Sequence, residues 1–123
     1  MSVLRQMAMG GLIALACAGA AAAQNCVNPQ TQVDMNQCAN LAAQAADAEL
    51  NAAYGQAMAV ARQDGTDALL RDAQRKWVPY RDAACQAESA GFSGGSIMPL
   101  MHFKCLERLT RQRTGDLYIF ARP

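Results

Sequence analysis

In a chain of 123 residues with a single histidine, side-chain chemistry has few places to start. His102 sits beside Met101, with Met98 and Cys105 about one helical turn to either side. Thioether, imidazole and thiolate together suit copper(I). Two facts weigh against that reading. Methionines at helical spacing commonly fill cores, and a cysteine held in a disulfide has no thiolate to offer. No metal and no cofactor are therefore expected. A nucleophile, a base and an orienting group cannot be assembled around His102. The run Gly94-Gly95-Ser96 lacks the G-x-x-x-x-G-K-[ST] phosphate signature. A catalytic site is not expected.

A second group is denser. Trp77, which is the single tryptophan of the chain, forms W-x-x-Y-R-D with Tyr80, Arg81 and Asp82. Trp, Tyr and Arg are enriched at interface hot spots. On a helical wheel, however, Leu70, Ala73, Trp77, Tyr80, Arg81 and Ala84 fall in one arc, and an apolar helical stripe is usually core. The reading is structural: Trp77 and Tyr80 fill the core, and Arg81 pairs with a carboxylate or helix terminus. Asp82 and Pro79 fall on the outer face. Pro79 removes a helical hydrogen bond and is expected to bend the helix there.

The elements that position these groups are helices. Residues 1–23 read as a signal peptide: Arg5, an apolar run from Met7 to Ala18, and Ala21-Ala22-Ala23 before Gln24. The apolar run is shorter than the roughly 20 residues a spanning helix needs. Cleavage leaves 24–123 as one domain without stable membrane insertion. It also removes Cys17, so five cysteines become four: Cys26, Cys38, Cys85 and Cys105. An even count after export is the mark of a disulfide framework in an oxidising compartment, periplasmic or secreted. A lipid anchor through Cys17 ranks below this, because the residue three before it is alanine.

Thr31 reads as a helix N-cap, with Asp34 completing a loose capping box. The first helix then runs to about Gln63, with Met35, Ala39, Ala42, Ala46, Leu50, Ala53, Ala57 and Ala61 on one face. Asp64-Gly65 is a turn, and Thr66 or Asp67 can cap a second helix to about Glu88. The stretch 90–96 is a glycine-rich loop. Ser96 can cap a third helix with Pro99 in its first turn, and Gly115 weakens that helix beyond 115. The expected fold is all-α: a long helical hairpin plus a third helix, stapled by two disulfides. This layout favours Cys26–Cys38 and Cys85–Cys105, with two other connectivities open.

Of eleven basic and ten acidic residues, Arg5 leaves with the signal, so the charges balance and neither nucleic acid nor a membrane surface is an expected partner. The halves differ. Residues 24–70 carry Arg62 against Asp34, Asp47, Glu49, Asp64 and Asp67, and the remainder is basic. Packing the halves together is expected to neutralise both.

In order along the chain stand T-Q-V-D-M-N-Q-C-A (31–39), A-D-A-E-L-N-A-A-Y (46–54), A-Q-R-K-W-V-P-Y-R-D-A-A-C (73–85), G-G-S-I-M-P (94–99) and C-L-E-R-L-T-R-Q-R (105–113). This series resembles the lysozyme-inhibitor LprI-like N-terminal domain family of small exported bacterial proteins, apart from Pro79, where the family's motif has another residue. The resemblance implies an all-helical domain with disulfides outside the cytoplasm, and the family's name implies inhibition of lysozyme. Together with the missing catalytic set, the expectation is a non-enzymatic module that binds a protein, lysozyme or another envelope component. Two surfaces are candidates for that contact. One is the acidic side at Asp47 and Glu49, because an acidic surface complements a basic lysozyme. The other is Gly94-Gly95-Ser96, whose small residues could enter a sugar-binding cleft. The alternative is a structural or envelope-stress module that inhibits no lysozyme.

Overall fold

A computed structural model describes residues 25–122. The signal segment, Cys17 and Gln24 lie outside the described residues. The order of elements is α1 (Gln32–Asp64), α2 (Asp67–Ser89), a 3-10 turn (Ala90–Phe92) and α3 (Met98–Phe120). At 1.5 Å per residue α1 is about 50 Å long and the other two about 35 Å. No helix among the described residues is long and apolar enough to cross a membrane. The three-helix, all-α expectation holds.

Local chemistry sets the ends of α1. Thr31 Oγ1 accepts from the N–H of Asp34 at 3.0 Å, and Asp34 Oδ2 accepts from the N–H of Thr31 at 3.2 Å. Both arms of the capping box are present. At the other end Gly65 takes φ 71°, its N–H donating to Arg62 O while Thr66 N–H donates to Ala61 O. This is a Schellman ending, which needs a residue tolerant of the left-handed region.

The alanine ridge of α1 is the core seam. Ala39, Ala43, Ala46, Ala53, Ala57 and Ala61 are buried, with Leu50 and Met58 as larger knobs. Small residues let a neighbouring backbone approach closely, and the neighbour is α3. α3 packs against α1 most extensively and against α2 next, while the α1–α2 contact of the hairpin is thin. Asn36 meets Ser96 near one end and Glu49 meets Arg111 farther along. α1 and α3 therefore run in the same direction, with α2 antiparallel to both. Leu50, Met58, Leu70 and Leu117 form the apolar centre, with Tyr54, Trp77 and Ala121 packed on it.

Three local expectations change. Tyr80 is 63 % exposed, and Ala73 is exposed as well. The inward line of α2 is instead Leu70, Gln74, Trp77, Arg81, Cys85 and Ser89, which are buried or half-buried. Cys85 and Arg81 both reach toward α3, and together they fix the helix rotation and turn Tyr80 to the flank. Ser96 does not cap α3; Ile97 holds the cap position without a side-chain bond. Thr66 holds the α2 cap position, again without a side-chain bond, while Asp67 pairs with Arg71 at 3.2 Å. The weaker extension expected beyond Gly115 is helical, and α3 continues to Phe120. α2 runs through Pro79, and Pro79 is solvent-exposed, both as expected.

Candidate functional site

Three helices converge on one guanidinium. Arg81 NH1 donates to Asp47 Oδ1 on α1 at 2.8 Å and to Thr110 Oγ1 on α3 at 3.2 Å. Its Nε donates to Asp82 Oδ1 at 2.9 Å, and its charge lies 5.3 Å from the centre of the Trp77 ring. The Arg81 side chain is 12 % exposed. A planar guanidinium can serve two carboxylates, a hydroxyl and an aromatic face at once; an ammonium cannot. Thr110 is buried, and Thr114 Oγ1 donates to its carbonyl at 2.9 Å. The W-x-x-Y-R-D motif thus joins the helices through Trp77, Arg81 and Asp82, with Tyr80 outside the junction.

The acidic residues of α1 face the basic residues of the second half. Asp47 holds Arg81, and Glu49 Oε2 accepts from Arg111 NH1 at 3.0 Å. Arg111 also donates to Glu107 at 3.0 Å. The hydrogen bond to Glu107 and then the contacts to Glu49 hold the Arg111 guanidinium above its ordinary pKa. Asp47 and Glu49 remain about half exposed, but each is paired with an arginine of the same chain.

The loop 90–97 is built differently. Cys85 and Cys105 bond across its base, both almost wholly buried. Ser89 Oγ, also buried, donates to the carbonyl of Cys85 at 2.8 Å. Asn36 Nδ2 on α1 donates to the carbonyl of Ser96 at 3.0 Å, and Gln32 donates in turn to Asn36 Oδ1 at 2.8 Å. Within the loop, Gly95 N–H reaches Phe92 O at 3.1 Å and Met98 N–H reaches Gly95 O at 3.2 Å. Gly94 takes φ 82°, in the left-handed region. Gly95 has little room, since an added Cβ would lie 3.3 Å from Phe92 O. Gly94, Gly95 and Ser96 are all exposed, flanked by Phe92 and Ile97, each 38 % exposed. The N–H groups of Gly94 and Ser96 have no acceptor among the described residues. The loop therefore presents unpaired donors and two apolar side chains on a braced frame.

The soft-ligand group does not assemble. Cys105 is in a disulfide, and His102 Nδ1 lies 3.5 Å from Ser89 Oγ, whose proton is directed at the Cys85 carbonyl. No cluster of His, Cys, Asp and Glu fit to hold a metal occurs among the described residues. At the same end as the loop, the Cys26–Cys38 disulfide clips the N-terminal segment onto α1, with Cys26 exposed. Both disulfides thus lie toward one end of the bundle.

Several features escaped sequence reading. Thr110, Thr114 and Ser89 are buried polar groups on helix faces. Thr110, Thr114 and Leu117 stand at i, i+4 and i+7, a spacing that would have marked a buried face had the two threonines been counted with Leu117. Gln74, which accepts from Arg113 at 3.0 Å, gave no such signal.

Comparison with known proteins agrees with this frame. The family described as Lysozyme inhibitor LprI matches residues 16–117. An uncharacterized protein of Rhizobium meliloti (strain 1021) is 40 % identical, the match covering 84 % of this chain and 86 % of that protein. No solved structure gives a significant match.

Proposed function

The chain belongs to the lysozyme inhibitor LprI family, and from that premise we propose that it is an exported, non-enzymatic module that binds and inhibits a lysozyme. The observation that carries the reading is the braced loop 90–97. A loop held by a buried disulfide at its base and by Asn36 at its tip loses little conformational entropy on binding. Its small exposed residues, Gly94, Gly95 and Ser96, are narrow enough to enter a cleft. The cleavage of a glycosidic bond is ordinarily the work of a pair of carboxyl groups. The unpaired N–H groups of Gly94 and Ser96 and the Ser96 hydroxyl are donors such groups can accept from. Phe92 and Ile97 supply the apolar flanks. The two disulfides fit an oxidising compartment outside the cytoplasm.

Asp47 and Glu49 take a secondary place in this proposal. Each is already bound to an arginine of the same chain, and a partner would have to compete for it. The same pairing favours a second reading, in which the charge arrangement serves the fold and the protein is a structural or envelope-stress module without inhibitory activity.

Lysozyme turnover with purified, oxidised protein separates the two. Inhibition is expected at micromolar excess and is expected to disappear in Ser96→Trp, with the unfolding midpoint unchanged because Ser96 is exposed and engages the fold through its backbone. Unimpaired turnover by lysozymes of several structural types, in the presence of correctly oxidised protein, would leave the structural reading standing.

A further inference from the structure

The thin α1–α2 contact leaves an open groove of about 490 Å³ on the side of the bundle away from α3, within the range of roughly 300–1,000 Å³ of small-ligand sites. Its walls are two rows of the same spacing. Asp47, Asn51 and Tyr54 line it from α1, and Arg71, Arg75 and Val78 from α2, each set at i, i+4 and i+7. Arg81 and Gln74 close the inner side. Of its three guanidinium groups, Arg81 and Arg71 are matched by the carboxylates of Asp47, Asp82 and Asp67, and Arg75 alone carries an unmatched positive charge.

Its polar groups are also unevenly occupied. Arg81 is committed to Asp47, Asp82 and Thr110, and Arg71 to Asp67. The side chains of Arg75, Asn51 and Tyr54 have no hydrogen-bond or ion-pair partner among the described residues. Gln74 gives its carbonyl oxygen to Arg113, which leaves its amide N–H groups as donors. Tyr54 and Leu50 belong to the apolar core and form the floor with Val78.

We infer that this groove is a binding site for a small carboxylate-bearing saccharide. The free guanidinium of Arg75 takes the carboxylate, for which its fork geometry is suited. Asn51, Gln74 and the Tyr54 hydroxyl take ring hydroxyls, and the Tyr54 ring and Val78 cover an apolar sugar face. A peptide is the poorer fit. Both walls are helices whose backbone groups are paired apart from the Arg75 carbonyl, which Pro79 leaves free, so a bound main chain would find a single backbone acceptor, unlike a strand added to a sheet edge. The site is distinct from the loop 90–97, and the inference does not rest on lysozyme inhibition.

Calorimetric titration with digalacturonate tests it, with diacetylchitobiose as the neutral saccharide and triglutamate as the peptide carboxylate. Digalacturonate is expected to bind, to perturb the resonances of Asn51, Tyr54 and Arg75, and to weaken as salt is raised. The double variant Arg71→Gln, Arg75→Gln is expected to lose roughly tenfold or more in affinity, since hydrogen bonds between charged groups are the strong ones. Its thermal midpoint should change little, because Arg71 makes a surface pair and Arg75 makes none. Absence of digalacturonate binding, equal binding of diacetylchitobiose, tighter binding of triglutamate, or unchanged affinity in the double variant would each overturn the assignment.

Discussion

Arg81 and Asp47, 34 residues apart in the chain, are joined by a 2.8 Å bond from NH1 to Oδ1, and through it α1 is fastened to the junction that also holds Thr110 of α3. The two ends of this bond are unequal. The Arg81 side chain is 12 % exposed and that of Asp47 51 %. Removing the arginine strands a buried hydroxyl and lets three helices part, whereas removing the carboxylate charge leaves a group that water can reach. Arg81→Met should therefore cost about 2–4 kcal/mol, and Asp47→Asn no more than about 1 kcal/mol. Urea denaturation of the two variants measures both, and equal costs would contradict the asymmetry.

The disulfides should differ in accessibility more than in loop entropy. They close spans of 12 and 20 residues, and such loops each contribute roughly 3 kcal/mol. Cys85 and Cys105 are almost fully buried, whereas Cys26 is exposed. Limiting thiol followed by alkylation and mass mapping should label Cys26 and Cys38 first. Replacing Cys85 and Cys105 by alanine should cost more than replacing the outer pair, because it also leaves a void in the core. Early labelling of Cys85 would count against this order.

Two residues inside the helices work against them. Gly55 lies in α1, exposed, and an added Cβ meets nothing within 4 Å. Gly55→Ala should stabilise by about 0.5–1 kcal/mol. Pro79, exposed in α2, lacks the N–H that would bond to the Arg75 carbonyl. Pro79→Ala should stabilise by about 1–3 kcal/mol, the cost of an interior proline discounted for solvent access to that carbonyl. Thermal unfolding checks both, and an unchanged or lowered midpoint would show that these residues have a packing role.

A pH test follows from Lys76. Its hydrogen bond to Asp72 Oδ2 at 2.8 Å, reinforced by the charge attraction, holds the ammonium above its usual pKa of 10.5. The protonated form is the one the fold favours, so the contribution is complete below 10.5 and is lost as pH rises through the folded value. Both groups are exposed, and the effect is correspondingly small. The stability gap between the parent protein and Asp72→Asn should be constant through neutral pH and close in strong alkali. Paired denaturation curves at neutral pH and above the lysine range would expose a gap that widened instead.

Much of the frame was legible because it rests on short-range rules. The capping box at Thr31 and Asp34, the glycine ending at Gly65 and the alanine ridge of α1 depend on residues three to five positions apart. Helix count and approximate boundaries follow from them, and that layout favoured the local disulfide pairing over two other connectivities. The i,i+4 pairs Asp72–Lys76 and Glu107–Arg111 are legible for the same reason. Ser96 misled because its backbone geometry depends on the left-handed Gly94 and on Asn36, sixty residues away.

What the sequence determined by itself was an all-helical chain whose charged halves could neutralise each other and whose cysteines fit an oxidising compartment. What the tertiary structure decided was rotation and choice of neighbour. A helical wheel gives an arc, and an arc some 100° wide does not say which edge faces the partner. The arrangement of Arg81 and Cys85 against α3 turned α2 so that Tyr80 went to solvent. The alanine ridge allowed a close neighbour, but which helix would take it was not written in the ridge. With α3 in that place, α1 and α2 stand apart, and the groove lined by Arg71, Arg75 and Arg81 exists because of it.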